Sequence, residues 1–180
     1  MAEQRLFFGL WPDPAARRQL ARLAEQFQPP GGRRHHPDDL HITLVFLGQV
    51  DDARQPCLYQ AADAIQAPAF RLRLDTLGHW PRPRILWCGP SLVPEPLQRL
   101  VTDLQQALSV CGFEPERRRY KPHVTLHRKV HHAKTDTLEQ PIEWQAREFV
   151  LAASEGGAPG QSRYRILHRW PLDDSTEVAE

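Results

Sequence analysis

Cysteine is scarce in this chain of 180 residues, and its three copies, Cys57, Cys88 and Cys111, lie far apart. No Cys-x-x-Cys pair occurs. The pattern fits neither a disulfide framework nor a zinc site, and a reducing cytoplasm is the expected setting. No apolar run approaches the roughly 20 residues needed to span a bilayer. The first eleven residues run into a strand-like segment without the charged start, apolar core and cleavage site of a signal peptide. A soluble intracellular protein with no membrane partner is therefore expected. Charge of one sign is also lacking: 23 Lys+Arg stand against 22 Asp+Glu, a formal net charge of +1. No global field draws in bulk nucleic acid, so any polyanion must be held by local clusters.

What is present suits one well-buried domain, or two small lobes sharing an interface. Most of the 17 prolines sit at segment boundaries. Arg5 to Trp11 (RLFFGLW) reads as a strand stopped by Pro12. Asp13-Pro14 is a cap and first turn, and Leu20, Leu23, Ala24 and Phe27 then recur at helical spacing until Pro29-Pro30-Gly31-Gly32. Leu40 to Gly48 is a strand. Asp51 or Asp52 caps a second helix with Leu58, Ala61, Ala62 and Ile65 inward. Phe70 to Thr76 and Arg84 to Gly89 are strands. A third helix from about Pro96 carries Leu97, Leu100, Val101, Leu104 and Leu108 on one face and stops at Gly112. Strands over His123 to Val130, Trp144 to Ala153 and Arg163 to Trp170 complete the chain, and the residues after Leu172 are expected to fray.

Two stretches organise the rest: His41-Ile42-Thr43-Leu44 and His123-Val124-Thr125-Leu126. In a strand, His-x-Thr points imidazole and hydroxyl to one face while Ile42, Leu44 and Phe46, or Val124 and Leu126, take the other. Strand, amphipathic helix, basic approach and His-x-Thr strand recur in order over residues 5–48 and 84–130. Leu6 to His41 spans 35 positions and Ile85 to His123 spans 38. Such self-similarity predicts two pseudo-symmetric lobes in a single α+β domain over 1–180, with antiparallel sheets flanked by helices around a central cleft.

A lone His-x-Thr is most often structural. Two copies at equivalent places in a repeat reverse that judgement. One imidazole removes a proton from a nucleophile while the other delivers one to a leaving group, and Thr43 and Thr125 offer hydroxyls to phosphate oxygens. Arg33-Arg34 and Arg117-Arg118-Arg119-Lys121 are either solvated loop charges or positive rims for a polyanion. Strict alternation turns Arg128 away from His123, and only a bulge or strand end brings it back. Phe7, Phe8, Phe46, Trp87 and Tyr120 serve as core packing or as stacking surfaces for a base. The adjacent pairs His35-His36 and His131-His132 point apart, and together with His127 they show no helical pair with carboxylate support. No metal or other cofactor is expected.

Those residues resemble the 2H phosphoesterases, and among them the bacterial and archaeal RNA 2′,3′-cyclic phosphodiesterases once called 2′-5′ RNA ligases. The resemblance runs through RLFFGLWP, PDDLHITLVFLG, RILWCGP, RRRYKPHVTLHR and YRILHRWPL, nearly the whole chain. It implies a bilobal fold and metal-independent opening of an RNA 2′,3′-cyclic phosphate, or a small cyclic nucleotide, to a 2′-phosphate. By analogy His41 would protonate the departing 3′ oxygen, His123 would activate water, and Thr43 and Thr125 would hold the phosphate. Arg128 would assist binding, with Phe46 and Arg119 as further candidates for substrate contact. His127 stands where similar sequences are often apolar. A monomer is expected. The alternatives are reversible 2′-5′ ligation in the same cleft, and a nucleotide or RNA-end binding module without turnover.

Overall fold

The computed structural model describes residues 2–174. Nine strands and three helices appear in the order β1 (Glu3–Leu10), α1 (Pro14–Gln26), β2 (Arg33–Arg34), β3 (Ile42–Asp51), α2 (Gln55–Asp63), β4 (Phe70–Trp80), β5 (Ile85–Gly89), α3 (Glu95–Leu108), β6 (Val124–Arg128), β7 (Asp136–Ala146), β8 (Glu148–Ser154) and β9 (Tyr164–Pro171). Local chemistry sets the helix ends. The Asp13 carboxylate accepts from the Ala16 amide at 2.8 Å and Pro14 opens α1, satisfying one of the amides a helix start leaves unpaired. Past α3, Gly112 adopts φ 87°, the left-handed stop that glycine takes without strain.

The strands form one antiparallel sheet in the order β7-β4-β5-β6-β3-β1-β8-β9, with β2 on β6. The two halves, β3-β1-β8-β9 and β6-β5-β4-β7, mirror one another in order and meet through a single residue pair, Ile42 opposite Val124. The helices cross this seam. α1, which follows β1, packs against β6 and β7, while α3, which follows β5, packs against α2 and β3. Each repeat thus covers the other's sheet, and the buried stripe of Leu97, Leu100, Val101, Leu104 and Leu108 joins one core with Ile42, Val124 and Trp144. Burying a side chain of this size contributes about 1.5–3 kcal/mol.

Three expectations are corrected. Cys57 and Cys111 form a disulfide 54 residues apart in sequence, leaving Cys88 buried and free. The pairing arises from α2 lying against α3, so the cysteines no longer point to a reducing compartment. The segment from Trp144 to Ala153 is two strands broken at Arg147. The edge strand β7 was hidden by its exposed residues and by Pro141, which only an edge or irregular stretch accommodates. Fraying after Leu172 does not begin there: the Leu172 amide donates to the Arg147 carbonyl and the Asp173 amide to the Ala67 carbonyl. The rest of that expectation concerns residues 175–180, outside the described residues.

Candidate active site

The four motif side chains come together at the seam. Carrying the antiparallel register of Ile42 and Val124 one residue each way sets Thr43 beside His123 and His41 beside Thr125. Ile42, Leu44, Val124 and Leu126 are buried on one face, while His41, Thr43, His123 and Thr125 are partly exposed on the other. The imidazoles lie on one diagonal and the hydroxyls on the other, and sheet diagonals of this kind span roughly 7–8 Å between Cα atoms. The two rings thus share one face of the seam, close enough for the charge of His123 to act on His41.

Both rings are held alike. His41 Nδ1 donates to the Asp39 carbonyl at 2.6 Å and His123 Nδ1 to the Lys121 carbonyl at 2.8 Å. With Nδ1 carrying the proton, Nε2 is left to exchange protons in the cleft. His41 Nε2 lies 3.2 Å from the Thr43 hydroxyl. Aromatic walls fix the ring planes. Trp11 stacks on His41 at 4.7 Å and 12°, its own indole N–H donating to the Asp38 carbonyl, and Tyr164 meets the same ring edge-on at 4.9 Å. Trp80 meets His123 edge-on at 4.5 Å, backed by Trp87. Tyr120 donates its hydroxyl to the Thr43 carbonyl at 2.8 Å, tying the second motif's basic approach to β3 across the seam.

Burial sets the protonation states. It lowers His41 from 6.5 to about 4, opposed by the Asp39 carbonyl and carboxylate and reinforced by the charges of His123 and Arg128. It lowers His123 as well, against its bond to the Lys121 carbonyl. Both imidazoles are therefore neutral near pH 7, and an anion seated between them would favour protonation of one.

Two bulges decide which later residues join the site. Between Phe8 and Gly9 the register on β3 skips Leu44, and between Leu86 and Trp87 the register on β6 skips Leu126. Each bulge reverses the facing of the residues beyond it. Phe46, placed by alternation with Ile42 and Leu44, instead lies opposite Phe7 and is 57% exposed, with the Arg5 guanidinium over its ring. Arg128 occupies the corresponding place in the second repeat and is exposed on the cleft side, by the bulge its facing required. His127 turns inward, 2% exposed, and donates Nε2 to the Ala24 carbonyl of α1 at 2.7 Å. It is a helix-to-sheet tie, matching the apolar residue at the same place in β3, Val45.

Arg128 donates through Nε to His35 Nε2 at 2.8 Å. Burial first, and then the charges of Arg128, His41 and Arg163, lower His35 to about 3. Arg119 is exposed on the loop before β6 and is not brought to the histidines by any bond. Phe8 is core, against Phe149 and Trp170. Sequence reasoning missed Trp11, Trp80, Tyr164 and Asp39. A tryptophan directly before a proline, at Trp11-Pro12 and again at Trp80-Pro81, was the available signal for two of them.

These neutral histidines carry a prediction. Their folded pKa values, about 3 for His35 and about 4 for His41, lie below the ordinary 6.5. Across that window the unfolded chain binds more protons, so stability rises with pH and is lost as pH falls from 6.5. Thermal unfolding from pH 7 to pH 4 should show a falling Tm. His35→Gln, which keeps an acceptor for Arg128, should shallow the decline. An equal slope in the variant would contradict this assignment.

The model of the 2′-5′ RNA ligase superfamily matches residues 11–158, both motifs included. The RNA 2′,3′-cyclic phosphodiesterase of Escherichia coli K12 is 36% identical over 94% of this chain and 97% of its own. That of Methanocaldococcus jannaschii is 29% identical over 92% and 99%. Among solved structures, a phosphoesterase superposes with a TM-score of 0.88 at 34% identity, covering 96% of this chain and all of the other. Escherichia coli LigT complexed with 3′-AMP superposes with a TM-score of 0.86 at 35% identity, covering 95% and 99%. By fold, by the matched span and by these relatives, the chain belongs to the 2′-5′ RNA ligase superfamily.

Proposed function

We propose that the protein hydrolyses RNA 2′,3′-cyclic phosphate ends to 2′-phosphate ends by general acid and base catalysis from its two histidines. The observation that carries this reading is the matched pair of imidazoles at the seam, each with Nδ1 committed to the carbonyl two residues before it. The name shared by relatives aligned over nearly the whole chain supports it.

The cyclic phosphate sits between the rings with Thr43 and Thr125 donating to its non-bridging oxygens and Arg128 adding positive charge. His123 takes a proton from water as the water oxygen bonds to phosphorus. The bond from phosphorus to O3′ breaks on the opposite side, and His41 delivers its proton to O3′. Hydroxyl donors and the guanidinium stabilise the charge gathering on the phosphorane oxygens. This direction follows the resemblance. Beside His41, the Asp39 carboxylate opposes, without overcoming, the burial that lowers the imidazole to about 4. The anionic substrate completes the protonation of His41, and no step calls for a metal.

End-group analysis of an oligonucleotide carrying a 2′,3′-cyclic phosphate, in excess chelator, tests the reading. A 2′-phosphate with a free 3′-hydroxyl is expected. A dominant 3′-phosphate, or no turnover, would contradict it, and a dominant joined product with a 5′-hydroxyl partner would favour ligation.

A further inference from the structure

Beside His41 lies a pocket of about 130 Å³ that shares Tyr164 and Asp39 with the surroundings of that ring. Three guanidiniums in its wall lack an acidic partner among the described residues. Arg33 and Arg128 are direct neighbours across β2 and β6, and Arg163 comes from the segment before β9. Like charges directly opposite on paired strands are destabilising. Arg34, also in the wall, has Glu25 at 3.7 Å. Arg128 instead bonds a neutral imidazole, that of His35. The carboxylate in the wall, Asp39, is 3% exposed and already engaged, accepting from the Ser162 hydroxyl at 2.6 Å and from the Arg163 amide. The charges of Arg128 and Arg163 both act on His35, so the positive potential is focused within the pocket.

A pocket of about 130 Å³ has room for a phosphate group, and the guanidiniums in its wall suit an anion over an uncharged base. Resting on the direction of the proposed reaction, with His41 at O3′, the terminal ribose lies on the His41 side. The pocket, which borders that ring through Tyr164 and Asp39, is a basic recess on the same side. We infer that Arg33 and Arg163, beside the charge that Arg128 lends to the cyclic phosphate, form a second phosphate subsite, which takes the phosphodiester on the 5′ side of the terminal nucleotide. The substrate it selects is an RNA strand, or a 5′-phosphorylated cyclic nucleotide, over a nucleoside cyclic phosphate with a 5′-hydroxyl.

Calorimetry with adenosine 2′,5′-bisphosphate and adenosine 2′-monophosphate reads the subsite directly. At low salt the bisphosphate should bind about tenfold more tightly, the worth of one hydrogen bond to a charged group. The advantage should shrink as salt rises. In Arg33→Ala and in Arg163→Ala the ratio of the two constants should fall toward one. Both variants keep the backbone bonds of those residues, and a Tm matching the parent shows that each is folded. Equal binding of the two ligands by the parent protein, or an unchanged ratio in both folded variants, would overturn the subsite. The corresponding pair of 2′,3′-cyclic phosphates, with and without a 5′-phosphate, should show the same preference in kcat/KM. Turnover of neither would count against the hydrolytic reading, while the two binding constants still decide the pocket.

Discussion

Replacing His41 or His123 by alanine should each lower single-turnover hydrolysis of a cyclic-phosphate-ended RNA by about 10²-fold or more, the usual worth of a positioned acid or base. The double variant should be little slower than the slower single one, because in the proposed mechanism acid and base act on one phosphorus in one step and removing either disables the pair. What remains would come from Thr43, Thr125 and Arg128, which in that mechanism would still hold and polarise the phosphate. Both rings are partly exposed and packed against fixed aromatic walls, so truncation removes chemistry without opening the core. Full activity in either single variant would refute the assignment of that histidine.

Gly78→Ala should be the most damaging substitution of a residue remote from the phosphate. Gly78 pairs directly with Trp87 across β4 and β5. A β-carbon there would lie 2.1 Å from Cζ2 and 2.4 Å from Cε2 of the indole. The ring has little room to yield, with Trp80 at 4.9 Å and His123 at 6.4 Å between centroids. Overpacking of this kind costs about 1–3 kcal/mol, and in a chain of this size each kcal/mol lowers Tm by about 2–4 °C. The displaced indole would press on Trp80 and His123, so kcat should fall along with Tm. Thermal melts followed by tryptophan fluorescence, with kcat on the same samples, check this. A variant that melts and turns over like the parent would show that the indole moves freely.

The repeated His-x-Thr pattern, the helical stripes and the caps at Asp13 and Gly112 were readable because each is a local rule acting over a few residues. The α+β class and the pairing of lobes came with them. What escaped depends on contacts between distant segments. Bulges at Leu44 and Leu126 leave no mark in composition, yet they send Phe46 outward, turn Arg128 to the cleft and bury His127. The crossing of α1 and α3 onto opposite halves determines the Cys57–Cys111 pair, which separation in sequence concealed. Residue type alone does not separate Trp11, Trp80 and Tyr164 from core aromatics, since flanking a histidine ring in a cleft and filling a core ask for the same side chains.

The central claim is that His41 and His123 serve a single phosphate, and imidazole nitrogen NMR during titration with adenosine 2′-monophosphate tests it most directly. The Nε2 signals of both rings should shift together, saturating at one equivalent with one Kd, and both shifts should be lost in Thr43→Val/Thr125→Val at the same ligand concentration. Signals that move with different constants, or a response confined to one histidine, would contradict a shared centre.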